Sequence, residues 1–252
     1  MLATRVPAPS CAPRILPVGE AALSVEFGDR VAPEVNAAVL ALDALIAAAP
    51  IAGVVETVPT YRALLVHFDP LAVAPAALET LLAPLAAQAV AEPARAGQGR
   101  LWHLPVAYGG AHGIDLATLA ARHGMAEGEV VRRHSAEVYR VYMLGFAPGF
   151  AYLGALPAAL VTPRRAEPRL TTPAGSVSIG GAQTAVTSMA VPSGWHLIGR
   201  TPVPTFTPAA ERMCLFEPGD RVQCRPIAAA DFEALAGRIA RGEYGLVPEP
   251  AS

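Results

Sequence analysis

Apolar residues alternate with polar ones over Arg14–Val18 and again over Ala22–Phe27, which predicts two short strands. Between Val31 and Ala49 the period lengthens: Val35, Val39, Leu42 and Ile46 recur at helical spacing. Gly53–Val58 and Ala63–Phe68 repeat the strand pattern around a turn at Pro59 and Thr60, and Pro75 opens a second helix to about Ala87. The order ββαββα predicts an antiparallel sheet with both helices on one face, a two-layer α+β domain over residues 13–90.

Ala91–Arg100 has small and polar residues, two Gly and one Pro, and no apolar period, so it reads as a linker. A strand over Leu101–Val106 follows, then helices over Asp115–Arg122 and Met125–His134. From Val138 onward, short β segments are broken by Gly and Pro about every ten residues, a rhythm that predicts a β-barrel or sandwich over residues 101–230. These segments are VYRVYML, GSVSIGG, TAVTSM, GWHLIG, CLF and DRVQCRPI. Glu217-Pro218-Gly219-Asp220 is a turn before the last strand, and Asp231 is expected to cap a closing helix over 231–242.

Composition narrows the chemistry. The sequence contains no Lys, so all 19 basic residues are Arg. A Walker A loop, a protein kinase and a pyridoxal enzyme each need a lysine, and none of these is self-contained here. A formal net charge of −2 supplies no basic field for nucleic acid. Charges and prolines interrupt both long apolar stretches, Ala37–Ile51 and Leu71–Ala91, so neither is expected to span a membrane. The N-terminus lacks the apolar core of a signal peptide, and the expected location is the cytoplasm. Cys11, Cys214 and Cys224 have no metal-ligand spacing; neither a disulfide nor a metal site is expected.

The candidate chemistry lies between Arg133 and Thr201. In GFAPGFAYL, Phe146, Phe150 and Tyr152 cluster around Gly145, Pro148 and Gly149; they either wall an apolar pocket faced by glycine amides or cap the core. PRRAEPR sets Arg164 and Arg169 each directly after a proline, which either aims two guanidinium forks at a carboxylate or phosphate or leaves a solvated loop with weak ion pairs. PAGSVSIGGAQT offers Ser176, Gln183 and the backbone at Gly175, an edge that fits either an oxyanion or a β-bulge. No GxSxG elbow surrounds Ser176, which weighs against a serine hydrolase. His134 and His196 are candidate proton carriers; at a helix end, the dipole is expected to favour the cationic form of His134.

Together these segments resemble the KipI family, which also goes by allophanate hydrolase subunit 1 and by the B component of 5-oxoprolinase. Its ordered pattern is matched by His134, Tyr139–Val141, Gly145–Leu153, Pro163–Arg169, Gly175–Thr184 and Gly194–Thr201, within a resemblance that covers about residues 13–228. The resemblance implies a small α+β domain and a cyclophilin-like β-barrel of the carboxyltransferase-domain type. It implies a KipA-like protein and a LamB/YcsF-like protein as partners, in an ATP-dependent 5-oxoprolinase that phosphorylates the amide oxygen of pyroglutamate before water opens the ring. Inhibition of a sensor histidine kinase and allophanate hydrolysis are the alternatives it carries.

Within such a complex, Arg164, Arg169, Phe146, Gly149, Phe150, Tyr152, Gly175 and Trp195 are the candidates for holding a small anionic substrate or phosphate. His134, Ser176 and Gln183 are the candidates for catalysis. Two departures stand out: Ala185-Val186-Thr187-Ser188 replaces the family's usual Gly-Ile-Tyr-Pro, and Ser193 replaces a Gly before Gly194-Trp195. Both imply a reshaped pocket.

Overall fold

The computed structural model describes residues 12–93 and 99–249, which form two compact units divided between Gly97 and Gln98. Residues 94–98 of the expected linker, and Cys11, lie outside the described residues.

In the first unit, β1 (Arg14–Pro17), β2 (Ala22–Glu26), β3 (Val54–Pro59) and β4 (Ala63–Phe68) form an antiparallel sheet in the order β1-β2-β4-β3. Alternation places Leu23 and Val25 of β2 and Leu64, Val66 and Phe68 of β4 in one core with the two helices. These are α1 (Pro33–Ala48), which buries Val35, Val39, Leu42 and Ile46, and α2 (Pro75–Ala91). Each starts with Pro in its first turn, where the missing N–H costs nothing. α2 runs past its expected end and tolerates Pro84, which lies on its exposed side, where water can satisfy the carbonyl that loses its helical partner.

The second unit is a closed barrel. Its strands are β5 (Leu101–Tyr108), β6 (Tyr139–Leu144), β7 (Ala151–Gly154), β9 (Ser176–Gly180), β10 (Gln183–Val186), β12 (His196–Arg200) and β13 (Arg221–Ile227), closing in the order β10-β7-β6-β13-β5-β12-β9. Every second residue points inward: Leu104 and Val106, Tyr139 and Val141, Ala151 and Leu153, Val177 and Ile179, Val222 and Cys224 share one core. Closure leaves no free edge in the barrel itself. A separate ribbon of β8 (Arg169–Thr172) and β11 (Val191–Ser193) accompanies it, with α3 (Leu116–Arg122), α4 (Glu127–Ala136) and α5 (Ala229–Ala240).

Three sequence expectations change. The residues of CLF are not a strand, since Cys214 makes only an isolated bridge to Phe206. Asp231 sits in the first turn of α5 and Ala228 is its N-cap, so the helix begins two residues earlier than expected. The AYL segment of the aromatic motif, not among the β segments read from the sequence, is β7, paired on both sides within the wall.

The barrel is pinned by a buried carboxylate. Asp220, 3% exposed, accepts from Arg100 Nε and Nη2 at 3.0 and 2.7 Å, from Trp102 Nε1 at 2.9 Å and from the Glu217 amide at 2.9 Å. It thereby joins the start of β5 to the turn that launches β13. With the Arg100 amide at 3.2 Å as well, five donors on one carboxylate meet the condition under which a buried charge is tolerated.

Candidate functional site

Strands β7 and β10 pair Tyr152 with Ala185 and Leu153 with Thr184, so the first pair faces outward and the second faces the core. On the outer side Phe150, Ala185 and Trp195 are buried against each other, with Tyr152 beside them. Rings run in a row: Phe146 to Phe150 at 5.8 Å, Phe150 to Tyr152 at 4.7 Å, Tyr152 to Trp195 at 6.0 Å. Gly180 makes room for the indole, because a Cβ there would lie 2.5 Å from Trp195 Cδ2. Phe146 ends the row 66% exposed and at φ 68°, a left-handed backbone that a phenylalanine adopts only at a cost of about 1 kcal/mol or more.

Arg164 closes the other end, its guanidinium 5.7 Å from the Trp195 ring centre. It is exposed and, among the described residues, has no carboxylate partner. Its backbone is held on both sides. His196 Nε2 donates to Pro163 O at 2.9 Å, and the Arg165 amide donates to Gly194 O at 2.7 Å. Burial pushes the Tyr152 phenol above its ordinary range, and the positive charge of Arg164 opposes that shift.

The other arginines of the motif are spent on Asp115, at the start of α3. Arg169 grips its carboxylate through Nη1 at 2.9 Å and Nη2 at 2.7 Å, and Arg165 Nη1 adds a contact at 3.3 Å. The Leu197 amide donates to the same carboxylate at 2.7 Å. Arg169, expected to hold an anion from solution, therefore already holds one from its own chain. Nothing in the sequence singles out Asp115, because its partners lie 50 to 82 residues away.

The glycine edge is likewise consumed. The Gly175 amide donates to Thr187 O at 2.7 Å and the Gly181 amide to Thr162 O at 2.7 Å, so these amides face their own sheet and not a ligand. A Cβ on Gly175 would collide with Thr201 O, and one on Gly149 would sit 2.6 Å from Thr205 O; both glycines serve close packing. Ser176 Oγ donates to Pro173 O at 2.7 Å in a nearly buried position, and its hydroxyl is bonded to no histidine. Gln183 opens β10 opposite Gly180, half-buried.

His134 corrects the expectation of a cation. It is fully enclosed, on the core side of the wall, and burial lowers its pKa to about 3. The Thr184 hydroxyl donates its single proton to Ser178 O at 2.9 Å, so it must accept from His134 Nε2 at 3.0 Å. Nδ1 then takes the proton of the Tyr108 hydroxyl at 2.8 Å. The ring is neutral, both nitrogens are satisfied, and it is separated from the aromatic row by the thickness of the strand pair. Cys224 lies in the same interior; burial pushes its thiol up to about 12, and Cys214 and Cys224 are both free. Among the described residues, no three His, Cys, Asp or Glu side chains gather as metal ligands, and no helix is long and apolar enough to cross a membrane.

The chain carries both a closed barrel and a separate α+β unit, and its sequence matches a carboxyltransferase family. The chain belongs to that family: the model for carboxyltransferase domain, subdomain C and D, matches residues 13–216. Among curated relatives it is 35% identical over 225 residues to the B component of the 5-oxoprolinase of Bacillus subtilis, covering 86% of this chain and 94% of that protein. It is 54% identical over 129 residues to the corresponding 5-oxoprolinase component of Escherichia coli O157:H7, a match that takes in 51% of this chain and 59% of the relative. The crystal structure of TTHA0988 is similar at TM-score 0.73 and 35% identity, over 82% of this chain but 40% of that one.

Proposed function

We propose that the chain is one subunit of an ATP-dependent 5-oxoprolinase, a lactam hydrolase that converts pyroglutamate to glutamate. It works with a KipA-like subunit and a LamB/YcsF-like subunit. The observation that carries this reading is the likeness to the 5-oxoprolinase component of Bacillus subtilis along nearly the whole of that protein. The TTHA0988 chain, which extends well beyond the matched region, supports a barrel of this kind working beside further protein.

In this reading the chain contributes the outer face. Arg164 supplies the one uncommitted guanidinium of its segment, and Trp195, Tyr152, Phe150 and Phe146 supply an apolar wall that sheds water from the anion it holds. The residues of this segment do not by themselves make a nucleotide cradle: the Gly175 and Gly181 amides are bonded within the barrel, and Arg165 and Arg169 are both engaged by Asp115. ATP dependence therefore comes from the assembled complex. Coexpression with the LamB/YcsF-like and KipA-like homologues is expected to yield a complex that forms glutamate from pyroglutamate only when ATP is present. A well-formed complex that produces none overturns the proposal.

A further inference from the structure

We infer that the β8–β11 ribbon is a docking surface for another polypeptide, one that receives Leu170 in an apolar pocket and sets carboxylates against Arg165 and its neighbour Arg164. The inference rests on the oxoprolinase reading only for its probe, the KipA-like subunit.

Charge argues for an acidic partner. PRRAEPR carries three guanidinium groups, and Asp115 and Glu167 set only two carboxylates against them. Asp115 is held first by Arg169, whose bonds at 2.9 and 2.7 Å take both of its oxygens. Arg165 reaches that carboxylate only through Nη1 at 3.3 Å, on the oxygen that Arg169 Nη2 already holds, and its Nε rests on Glu167 O at 3.3 Å. Arg165 is thus engaged but not neutralised, with a side chain 29% exposed. Glu167 is exposed, forms no ion pair among the described residues, and offsets little. A positive charge left in surplus and partly out of water is screened less than a free surface charge, so it favours a partner that brings carboxylates.

Apolar exposure argues that the partner is a polypeptide. Leu170 of β8 is 91% exposed, Pro168 and Thr171 beside it are exposed, and Pro192 of β11 lies across the ribbon from it, exposed as well. A lone exposed leucine is ordinary on a protein surface. This one stands on a fixed base. The Arg165 amide donates to Gly194 O at 2.7 Å, His196 Nε2 donates to Pro163 O at 2.9 Å, and Asp115 joins Arg169 to the Leu197 amide. An anchor ordered before docking has little freedom left to lose. A small anion would use the arginines and leave Leu170 without a role; a polypeptide uses both.

The mode of docking follows from the prolines. β8 has four residues between Pro168 and Pro173, β11 has three with Pro192 among them, and the register slips between Val191 and Ser193. Free edges this short and broken do not take an added strand. Contact is through side chains, with the leucine as knob and the guanidinium groups of the adjoining segment as its polar rim.

The test measures binding of the KipA-like subunit to the intact chain on a biosensor surface, with sedimentation of the chain alone. Leu170→Ser is expected to weaken binding at least about tenfold, the scale of a buried leucine anchor. Its unfolding in urea is expected to be unchanged, because the side chain is exposed. Leu71→Ser is the control: Leu71 is 96% exposed on the first unit and is expected to leave the affinity as it is. Arg165→Gln is expected to slow association about threefold at low salt, a difference that disappears by about 0.5 M salt.

The inference is overturned if the wild-type chain does not bind, if Leu170→Ser binds as tightly as wild type, or if Leu71→Ser weakens binding as much. Self-association of the chain that Leu170→Ser abolishes assigns the ribbon to a second copy and overturns it too. A complex that assembles through Leu170 and makes no glutamate sinks the oxoprolinase reading and leaves the inference standing.

Discussion

The two sides of the β7–β10 wall treat polar groups in opposite ways. On the core side, Thr184, His134 and Tyr108 pass hydrogen bonds from one to the next until each donor has an acceptor. On the outer side, one residue away along each strand, Tyr152 and Ala185 support rings and a guanidinium whose charge has no carboxylate partner among the described residues. A closed network stabilises only if it is complete, because a half-satisfied buried group costs more than an apolar one. An exposed charge on a braced backbone adds little to stability beyond its ring contact. Chemistry-bearing residue types are thus a poor guide to function until their partners are known.

The contrast between closed and open groups is largest at Asp220, whose carboxylate collects the most donors of any closed cluster described. Asp220→Ala leaves the Trp102 N–H without its acceptor and Arg100 with only the exposed Glu217 contact at 3.2 Å, and is expected to destabilise the barrel by about 3 to 5 kcal/mol, measured by urea unfolding. A loss below about 1 kcal/mol would show that the cluster does not close the barrel.

Arg169 sharpens it next. Arg169→Met keeps the stem and removes both short bonds to Asp115, leaving that carboxylate with the longer Arg165 contact and the Leu197 amide. The expected cost is about 2 kcal/mol, the scale for a charged group that loses partners. Unchanged unfolding would return Arg169 to the set of available anion binders.

His134 gives a test in pH. Its folded pKa of about 3 lies below the unfolded value near 6.5. Below about pH 6.5 the unfolded chain takes up a proton that the native ring refuses, so acid favours unfolding and stability rises with pH across that window. The predicted slope approaches about 1.4 kcal/mol per pH unit, a loss of about 2 kcal/mol from this residue by pH 5. His134→Gln is expected to reduce the slope of the unfolding free energy between pH 5 and 6.5; an identical slope in both proteins assigns the effect elsewhere.

Hydrophobic period and Gly/Pro punctuation together mark out all five α-helices and most of the strands, because a buried face imposes its period wherever it occurs; β7, β8 and β11 are missed. Failures follow from long-range partnership. Leu153 and Ala151 carry the barrel alternation in β7, yet the turn-forming Pro148 and Gly149 just before them hide the strand. Arg164, Arg165 and Arg169 look equivalent in sequence, and only Asp115, brought from 50 residues away, separates them. For His134 a signal is present: it lies four residues after Val130, and these two are the buried residues of α4. That spacing marks a core histidine, and it outweighs the helix-end dipole argument for a charged one.

The smallest expected effect belongs to Arg164. It is exposed, pairs with no carboxylate among the described residues, and is held through the backbone of its neighbours and not through its own charge. Its contact with Trp195 contributes at most about 0.5 to 1 kcal/mol at an exposed site. Arg164→Ala should therefore shift the unfolding free energy by no more than that, while Arg169→Met, five residues on, costs several times as much. Equal losses would mean that Arg164 braces the fold as Arg169 does. A near-neutral Arg164 beside a costly Arg169 leaves the exposed guanidinium with no structural reason to be placed where it is, and ligand contact becomes the remaining physical account of it.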